Sequence, residues 1–509
     1  MPKFNSKIKD IKNLALLIRR FKSAGKKVVL AHGSFDLFHH GHMHYLNEAK
    51  KQGDILVVSV VADRFVRKGF SKPIFNELTR LNSIAFLSPV DYVVLCNDFG
   101  PWEIIKKLRP NIYVKGKDSE SQLDNPKSGV GLDKRSVENA GGKMVFTKTL
   151  QIPSENVLNK HFSAVPNEAI SFLTDFKKKY NVSDILINLE KLKKTKVLAI
   201  GESIIDEYRY VSPLGKPAKS HVVSTHFKEK EEFAGGILAC ANHLASICGQ
   251  VELVTVLGEK KSEVNLLRRN LKPNVKTKFF YCPGQKTIVK RRFLDEGSFV
   301  KFFEEYEFDK GFIPKSAEQS IKNYLADKIA DFDLVVAVDY GHGLFSPDLI
   351  KLIISKSKFL AVTAQTNSGN AGFNYITKYL NADYVSMDEL EARLAAHDDY
   401  SPIEKVISKL FKKISPKQMI VTLGRQGLIV RDKSGETKKM PSLANRITDA
   451  VGAGDAFLCI SAPCAAAGFS ADLTSFIGNV AASIAVDIVG NRSSVEREEL
   501  FGKIGYLLE

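Results

Sequence analysis

Short apolar runs alternate with amphipathic stretches along most of the chain. From Lys27 this pattern predicts a strand over Val28 to Ala31, a loop over His32 to His40, a helix over Gly41 to Lys51 and a strand over Ile55 to Val61. Further buried-type strands are predicted at Tyr92 to Leu95 and Ile112 to Val114, each preceded by a helix-like segment. Such a βαβ succession implies a doubly wound parallel sheet, with ligands at the carboxyl ends of its strands. Between Ser163 and Thr195 the pattern becomes amphipathic and Lys-rich, with no Gly and one proline, Pro166, which predicts two connecting helices. Strands are then predicted at Val197 to Ile200, Val251 to Val256, Leu334 to Val338, Phe359 to Val362, Tyr384 to Ser386, Met419 to Leu423 and Gly427 to Val430, most of them separated by helical patterns. The expected fold class is therefore α/β, with two doubly wound parallel-sheet domains at residues 1–165 and 196–509 and a helical connector at 166–195.

Composition narrows the partners. At 509 residues the chain exceeds what one hydrophobic core organises, and 44% hydrophobic with 26% charged residues is ordinary for a soluble globular protein. The 74 Lys and Arg against 57 Asp and Glu give a net charge of +17, which raises the question of a polyanionic partner. The basic residues are scattered, however. The longest runs are Lys177-Lys178-Lys179 and Lys290-Arg291-Arg292, without the aromatic interleaving of single-strand binders. No nucleic acid is expected as a partner, and phosphorylated metabolites account for the surplus. Cys96, Cys240, Cys248, Cys282, Cys459 and Cys464 fall singly, mostly inside apolar runs, and fit buried thiols in a reducing compartment. With no apolar h-region over Met1 to Ile11 and no 18-residue apolar stretch, a cytoplasmic protein without a membrane partner is expected.

Two places carry chemistry. In the first, a predicted strand ends at His32-Gly33-Ser34-Phe35-Asp36 and runs into His39-His40-Gly41-His42 at a helix start. A helix N-terminus offers unpaired N–H groups and a positive dipole end to a phosphate, and two imidazoles on the first turn add donors. Nucleotidyl transfer builds charge on phosphate oxygens, where positioned donors stabilise it, so His39 and His42 are the candidate catalytic donors. An alternative assigns the cluster, with His44 close by, to surface polarity or a weak metal site.

In the second, Thr448-Asp449-Ala450-Val451-Gly452-Ala453-Gly454-Asp455 precedes a long apolar helix. The glycines let backbone N–H groups turn inward as an anion nest for a transferring γ-phosphoryl group, and Asp455 can accept the proton of an attacking hydroxyl. The alternative is a Gly-rich loop with Asp455 as a helix cap.

The first stretch resembles the cytidylyltransferase-like family of H-x-G-H nucleotidylyltransferases over roughly residues 25 to 165. The resemblance implies nucleotide and phosphate contacts from Ser34 and Phe35, from Lys72 and Arg80 in a basic-Pro then Arg segment, from Lys115 in Tyr113-Val114-Lys115-Gly116-Lys117-Asp118, and from Ser154. The family's Ser-Ser-Thr helix start reads Pro153-Ser154-Glu155 here, so only Ser154 carries over. The second stretch closely resembles the signature of ribokinase-like (PfkB) sugar kinases, over about Lys196 to Glu509. That resemblance implies phosphate contacts at Gly452, Ala453 and Gly454, sugar contacts from Asp206, Gly235 and Gly236, and ATP-side contacts at Thr422 and Gly424. Asp388 and Glu391 fall where the family has Asn-x-x-Glu, a phosphate and Mg2+ neighbourhood, with Glu391 the implied metal ligand. Thr287 to Arg292 and Asp339 to Gly343 look like segments of the heptose-phosphate branch, which adds Lys290 and Arg292 to the sugar contacts. Asp206 also fits a plain strand-end cap.

Both halves occur together, in the opposite order, in the bifunctional heptose 7-phosphate kinase and heptose 1-phosphate adenylyltransferase family. The resemblance implies ATP-dependent phosphorylation of a sugar phosphate at its anomeric hydroxyl, then nucleotidylyl transfer giving a nucleotide-sugar and pyrophosphate. It also implies ATP and Mg2+, with CTP as the alternative transferase nucleotide, and a homodimer. Ala239 at the Asn position of Gly-Gly-x-x-Asn, and Ala364-Gln365-Thr366-Asn367 in place of Asp-Pro-Lys-Gly, depart from that family at the sugar. A transferase for another sugar or polyol phosphate, fused to a divergent or non-catalytic kinase-like module, is the alternative.

Overall fold

The computed structural model describes residues 6–36, 38–66, 73–98, 100–117, 129–147, 165–217, 219, 221–259, 264–298 and 300–508. It divides into two compact units, Met1–Ser163 and Ala164–Glu509.

In the first unit five strands, β1 (Val28–Gly33), β2 (Ile55–Val61), β3 (Tyr92–Cys96), β4 (Ile112–Lys115) and β5 (Lys143–Phe146), form one sheet of order β3-β2-β1-β4-β5. Every pairing in it is parallel. Both faces are covered, so the strands read as continuous Val, Ile and Leu runs. The chain winds outward from β1 to β2 and β3, then returns to β4 on the other side of β1. The carboxyl ends of β1 and β4 thus border the crevice where such a sheet places its ligand.

The second unit holds a nine-stranded and a four-stranded sheet. Its strands are β6 (Lys196–Gly201), β7 (Ser203–Gly215), β8 (Ser224–Gly236), β9 (Gln250–Gly258), β10 (Val275–Cys282), β11 (Ile288–Asp295), β12 (Lys301–Glu307), β13 (Leu334–Asp339), β14 (Leu360–Ala364), β15 (Tyr384–Asp388), β16 (Gln418–Thr422), β17 (Leu428–Asp432) and β18 (Thr437–Met440). The large sheet runs β10-β9-β6-β13-β14-β15-β16-β17-β18, parallel from β10 to β16; the last two strands run antiparallel, unlike the wholly parallel sheet expected. The small sheet, β12-β11-β7-β8, was not read as strands in the sequence apart from the stretch that opens β7. It springs from the carboxyl end of β6, so β7 and β11 carry Asp206, Lys290 and Arg292 to the site.

The helices Asn167–Lys179 and Val182–Lys191, expected as a connector, are built into the second unit. Phe176 stacks on Phe476 with ring centroids 4.4 Å apart, Lys179 pairs with Asp472, and Tyr180 donates to Asp472 at 2.8 Å. Their apolar faces, Leu173, Ile185 and Leu189 among them, lie in the same core as strands β6 and β13.

Candidate active sites

At the carboxyl end of β1 the chain turns through Ser34 and Phe35 toward the helix His40–Lys50. Phe35 takes the left-handed conformation, φ 50°, and its buried ring lies edge-on to His42 at 5.4 Å. His39 is the N-cap of the helix: its Nδ1 accepts the Gly41 N–H at 3.0 Å, and the His42 Nδ1 accepts the His39 N–H at 3.4 Å. A nitrogen that accepts carries no proton, so each neutral ring holds its proton on Nε2 and can donate from there. Burial, with His39's charge second, pushes His42 down to about 4. His39 is lowered too, by burial and then by His40. The pair is therefore a neutral donor set at a helix N-terminus, ring centroids 4.2 Å apart.

His32 and Lys115 complete this edge of the sheet. His32 Nδ1 lies 2.7 Å from Ser59 Oγ, and burial, with the Lys115 charge second, pushes the imidazole down to about 3. The Lys115 ammonium, at the end of β4, lies 2.7 Å from the buried Asp133, which also accepts from Trp102 Nε1 at 3.0 Å and Tyr113 Oη at 3.1 Å. Tyr45, one turn on from His42, donates to the Val114 carbonyl at 2.8 Å and ties the helix to β4.

Arg80 is not at this edge as a free charge. It is 1% exposed, and Nε, Nη1 and Nη2 donate to the Phe75 carbonyl, the Ser34 carbonyl and Asp63 at 2.8, 2.6 and 2.6 Å. Its guanidinium holds the Ser34 turn from beneath, and Asp36 clamps the neighbouring N–H groups of Ile74 and Phe75 at 3.0 and 2.9 Å. Lys72, Asp118 and Ser154 lie outside the described residues.

In the second unit Gly452, φ 81°, caps the helix Ala453–Ala466, and Asp455 sits in its first turn. A Cβ added at Gly454 would meet nothing within 4 Å, so the turn faces open space. Asp455 is buried, and its Oδ2 and Oδ1 accept from Tyr340 Oη at 3.0 Å and Gln365 Nε2 at 2.9 Å. Burial pushes its carboxyl up to about 6, against the Tyr340 hydrogen bond and the Lys290 charge, which lower it. A cleft of about 570 Å3 joins Gly452, Ala453, Gly454 and Asp455 to Asp388, Glu391, Thr422 and Gly424. A larger cavity, about 970 Å3, contains none of these and is lined by Asp339, His342, Asn370 and Asn374.

Asp388 and Glu391 form a capping box: Asp388 accepts the Glu391 N–H at 2.7 Å, and Glu391 accepts the N–H groups of Asp388 and Thr366 at 2.9 and 3.0 Å. Burial first, then the charge of Asp388, pushes the Glu391 carboxyl up. Among the described residues no three His, Cys, Asp or Glu side chains gather as a metal site. Mg2+ commonly takes one or two carboxylates and completes its shell with phosphates and water. Asp388 and Glu391, near enough for their charges to interact, fit a magnesium ion that arrives with a nucleotide.

Asp206 and Arg292 meet as a buried ion pair; Arg292 Nε also donates to Glu304 at 3.0 Å, and Asn491 Nδ2 donates to the second oxygen of Asp206 at 2.8 Å. Asp206 is therefore no plain strand-end cap. A Cβ on Gly235 would stand 1.9 Å from Asp206 Oδ2, and one on Gly452 would stand 2.9 Å from Asn491 Oδ1. Asn491 thus spans from the sugar side to the anion turn, and only glycine fits beneath it. Gly236, φ 60°, begins the helix Ile237–Ile247. Tyr340, Gln365 and Asn491 were missed as contacts to these residues. Tyr340 and Gln365 stood in stretches singled out for other reasons, and Asn491 gave no local signal.

Two protein families match separate parts of the chain. The cytidylyltransferase-like family matches residues 30–171, and the pfkB family carbohydrate kinases match residues 194–498, more than half of the chain. The bifunctional protein HldE of Geobacter metallireducens is 39% identical over 167 residues, 32% of this chain and 33% of that protein. The HldE of Campylobacter jejuni subsp. jejuni serotype O:6 is 27% identical over 319 residues, 62% of this chain and 66% of that one. The chain thus spans a third of the first relative and just under two thirds of the second. Phosphofructokinase-2 of Escherichia coli in complex with potassium, 15% identical with a TM-score of 0.51, covers 62% of this chain over 99% of its own length, a likeness of fold. The chain belongs to the pfkB carbohydrate kinase family, with a cytidylyltransferase-like domain ahead of its kinase domain.

Proposed function

We propose that the chain activates a sugar in two steps: the second unit phosphorylates a sugar phosphate, heptose 7-phosphate-like, at its anomeric hydroxyl, and the first converts the sugar 1-phosphate to a nucleotide-sugar, ADP-heptose-like, releasing pyrophosphate. The observation that carries the kinase step is Asp455, a buried carboxylate between two donors, directly beside an anion turn that opens into a cleft. Asp455 takes the proton of the anomeric hydroxyl; its oxygen attacks the γ-phosphorus of ATP, the new O–P bond forms as the bond to the β-phosphate oxygen breaks, and ADP leaves. The N–H groups of the Gly452–Gly454 turn stabilise the transferring phosphoryl group. Magnesium, when bound with the nucleotide, neutralises phosphate charge, with Glu391 and Asp388 to hold it.

In the first unit the sugar 1-phosphate oxygen attacks the nucleotide α-phosphorus and pyrophosphate departs. His39 and His42, whose neutral rings keep their protons on Nε2, donate to the oxygens that gain charge. ATP is the nucleotide proposed for both steps, with CTP as the alternative at the transferase. A cytoplasmic homodimer is proposed, supported by six free, buried cysteines and by the exposed Phe227, Phe302 and Phe303 of the small sheet. No described helix is long and apolar enough to cross a membrane.

The test is a substrate panel on the full chain: ADP release from ATP with phosphorylated sugars, and pyrophosphate release from each nucleotide with sugar 1-phosphates. One productive pair at each site is expected. Silence of the folded protein across a broad panel at either site rejects that half of the proposal.

A further inference from the structure

Two basic side chains beside the kinase site are buried without a hydrogen-bond partner among the described residues. Lys290 is 6% exposed, its ammonium 5.2 and 5.8 Å from the ring centroids of Tyr306 and Tyr340, and no hydrogen bond or ion pair joins it to a described residue. His342 is 7% exposed, and neither Nδ1 nor Nε2 has a hydrogen-bond partner among the described residues. The ring lies 4.9 Å from that of Phe308 and lines the 970 Å3 cavity. The two groups are neighbours, because the Lys290 charge adds to burial in lowering the His342 imidazole. Arg292, by contrast, is committed to Asp206 and Glu304.

The placement is held firmly. The fully buried Glu202 accepts the N–H groups of Tyr340 and His342 at 3.0 and 3.1 Å, which fixes the turn between them. Tyr340 therefore stands between the two sites: its hydroxyl bonds Asp455, its ring lies under Lys290, and His342 follows two residues on. Buried polar groups are nearly always hydrogen-bonded in native proteins, and a buried ammonium that rests on aromatic rings without a hydrogen bond is rarer still. Two such groups side by side, next to a substrate site, call for a ligand with several acceptor oxygens and negative charge.

We infer that Lys290 and His342 form the subsite for the phosphate monoester that the sugar substrate already carries, with His342 the residue that selects a phosphorylated sugar over its unphosphorylated parent. Lys290 supplies the charge, and the neutral imidazole donates one N–H to a phosphate oxygen and accepts from a sugar hydroxyl with its other nitrogen. The inference rests on the kinase reading above, but its test needs no turnover.

Calorimetric titration of the full chain, with both nucleotide sites filled by a non-hydrolysable ATP analogue, compares mannose 6-phosphate with mannose and a heptose 7-phosphate with its parent heptose. The native chain should prefer a phosphorylated sugar. His342→Ala should weaken that sugar about tenfold or more and leave the parent within about twofold, while His342→Lys, which restores a donor, should recover the preference. Unchanged binding of the ATP analogue shows that each variant is folded, and Lys290→Met offers a second removal if His342→Ala is not. If the variants weaken phosphorylated and parent sugars alike, or neither, the ring is a buried filler and the subsite is wrong. A native chain that binds neither phosphorylated sugar overturns the inference as well. Tight, His342-dependent binding without phosphorylation would uphold the subsite and count against the kinase reading instead.

Discussion

Replacing Tyr340 by Phe takes one hydroxyl from beneath Asp455 and leaves the ring that supports Lys290. The hydroxyl donates to Asp455 Oδ2 at 3.0 Å and also meets Cys240 Sγ at 3.6 Å, a weak contact. A donor to a carboxylate favours its charged form, so this bond works against the burial that pushes Asp455 up to about 6. A hydrogen bond to a charged group contributes about 1.5 to 3 kcal/mol, and one pKa unit corresponds to ~1.4 kcal/mol. Its loss should raise the Asp455 carboxyl by about one to two units, with Gln365 as the remaining donor. A base acts only when deprotonated, so the kinase rate should rise with pH through about 6 in the native protein and through roughly 7 to 8 in the variant. The assay is ADP release at saturating ATP and sugar phosphate across roughly pH 5 to 9. At neutral pH kcat of the variant should be about twofold to tenfold lower, and at the alkaline end within about twofold of native. A uniform loss with an unmoved acid limb, or a limb displaced to lower pH, refutes the assignment of Asp455 as a base tuned by Tyr340.

Two further outcomes follow from the packing. Arg80→Met leaves the Ser34 and Phe75 carbonyls and Asp63 without their shared partner, and should destabilise the first unit by about 3 to 5 kcal/mol, read as a lowered urea midpoint; normal stability with nucleotide affinity alone reduced would show that Arg80 serves as a phosphate contact. Gly235→Ala places a methyl 1.9 Å from Asp206 Oδ2. It should raise the KM for the sugar by about tenfold or more while leaving the KM for ATP within about twofold, and equal effects on both would remove Asp206 from the sugar side.

The sequence was informative where the signal is local. Val, Ile and Leu runs covered on both faces marked β1, β2, β6, β13 and β16, and the H-x-G-H and Gly-Ala-Gly-Asp turns were visible because each is a contiguous stretch at a helix start. The outer strands of the small sheet escaped because they do not look buried: β8 carries Lys228 to Glu232 and β12 reads Lys-Phe-Phe-Glu-Glu-Tyr-Glu, both largely exposed, so neither apolar continuity nor alternation appears. The helices at 167–191 looked like a connector because an amphipathic pattern shows that a face is covered and not by what; Phe476 covers it. Contacts distant in sequence were hidden altogether. Tyr340 and Gln365 reach Asp455 across 115 and 90 residues, and Asn491 reaches Asp206 across 285. Arg80 shows the converse. A basic residue in a family-like segment has the right charge for a phosphate, yet burial and three acceptors commit it to the fold.

The measurement that bears most directly on two separate catalysts is both reactions on both point variants of the full chain. Asp455→Asn keeps the size of the side chain and removes its basicity, so ATP-dependent sugar phosphorylation should fall by about 10²-fold or more, while pyrophosphate release from supplied sugar 1-phosphate stays within about twofold. His42→Ala should do the reverse, with a loss of roughly 10² to 10³ in pyrophosphate release, intact phosphorylation and accumulation of sugar 1-phosphate. If folded Asp455→Asn also lost pyrophosphate release, or His42→Ala also lost phosphorylation, the two sites would be one coupled machine, contrary to the division proposed for this chain.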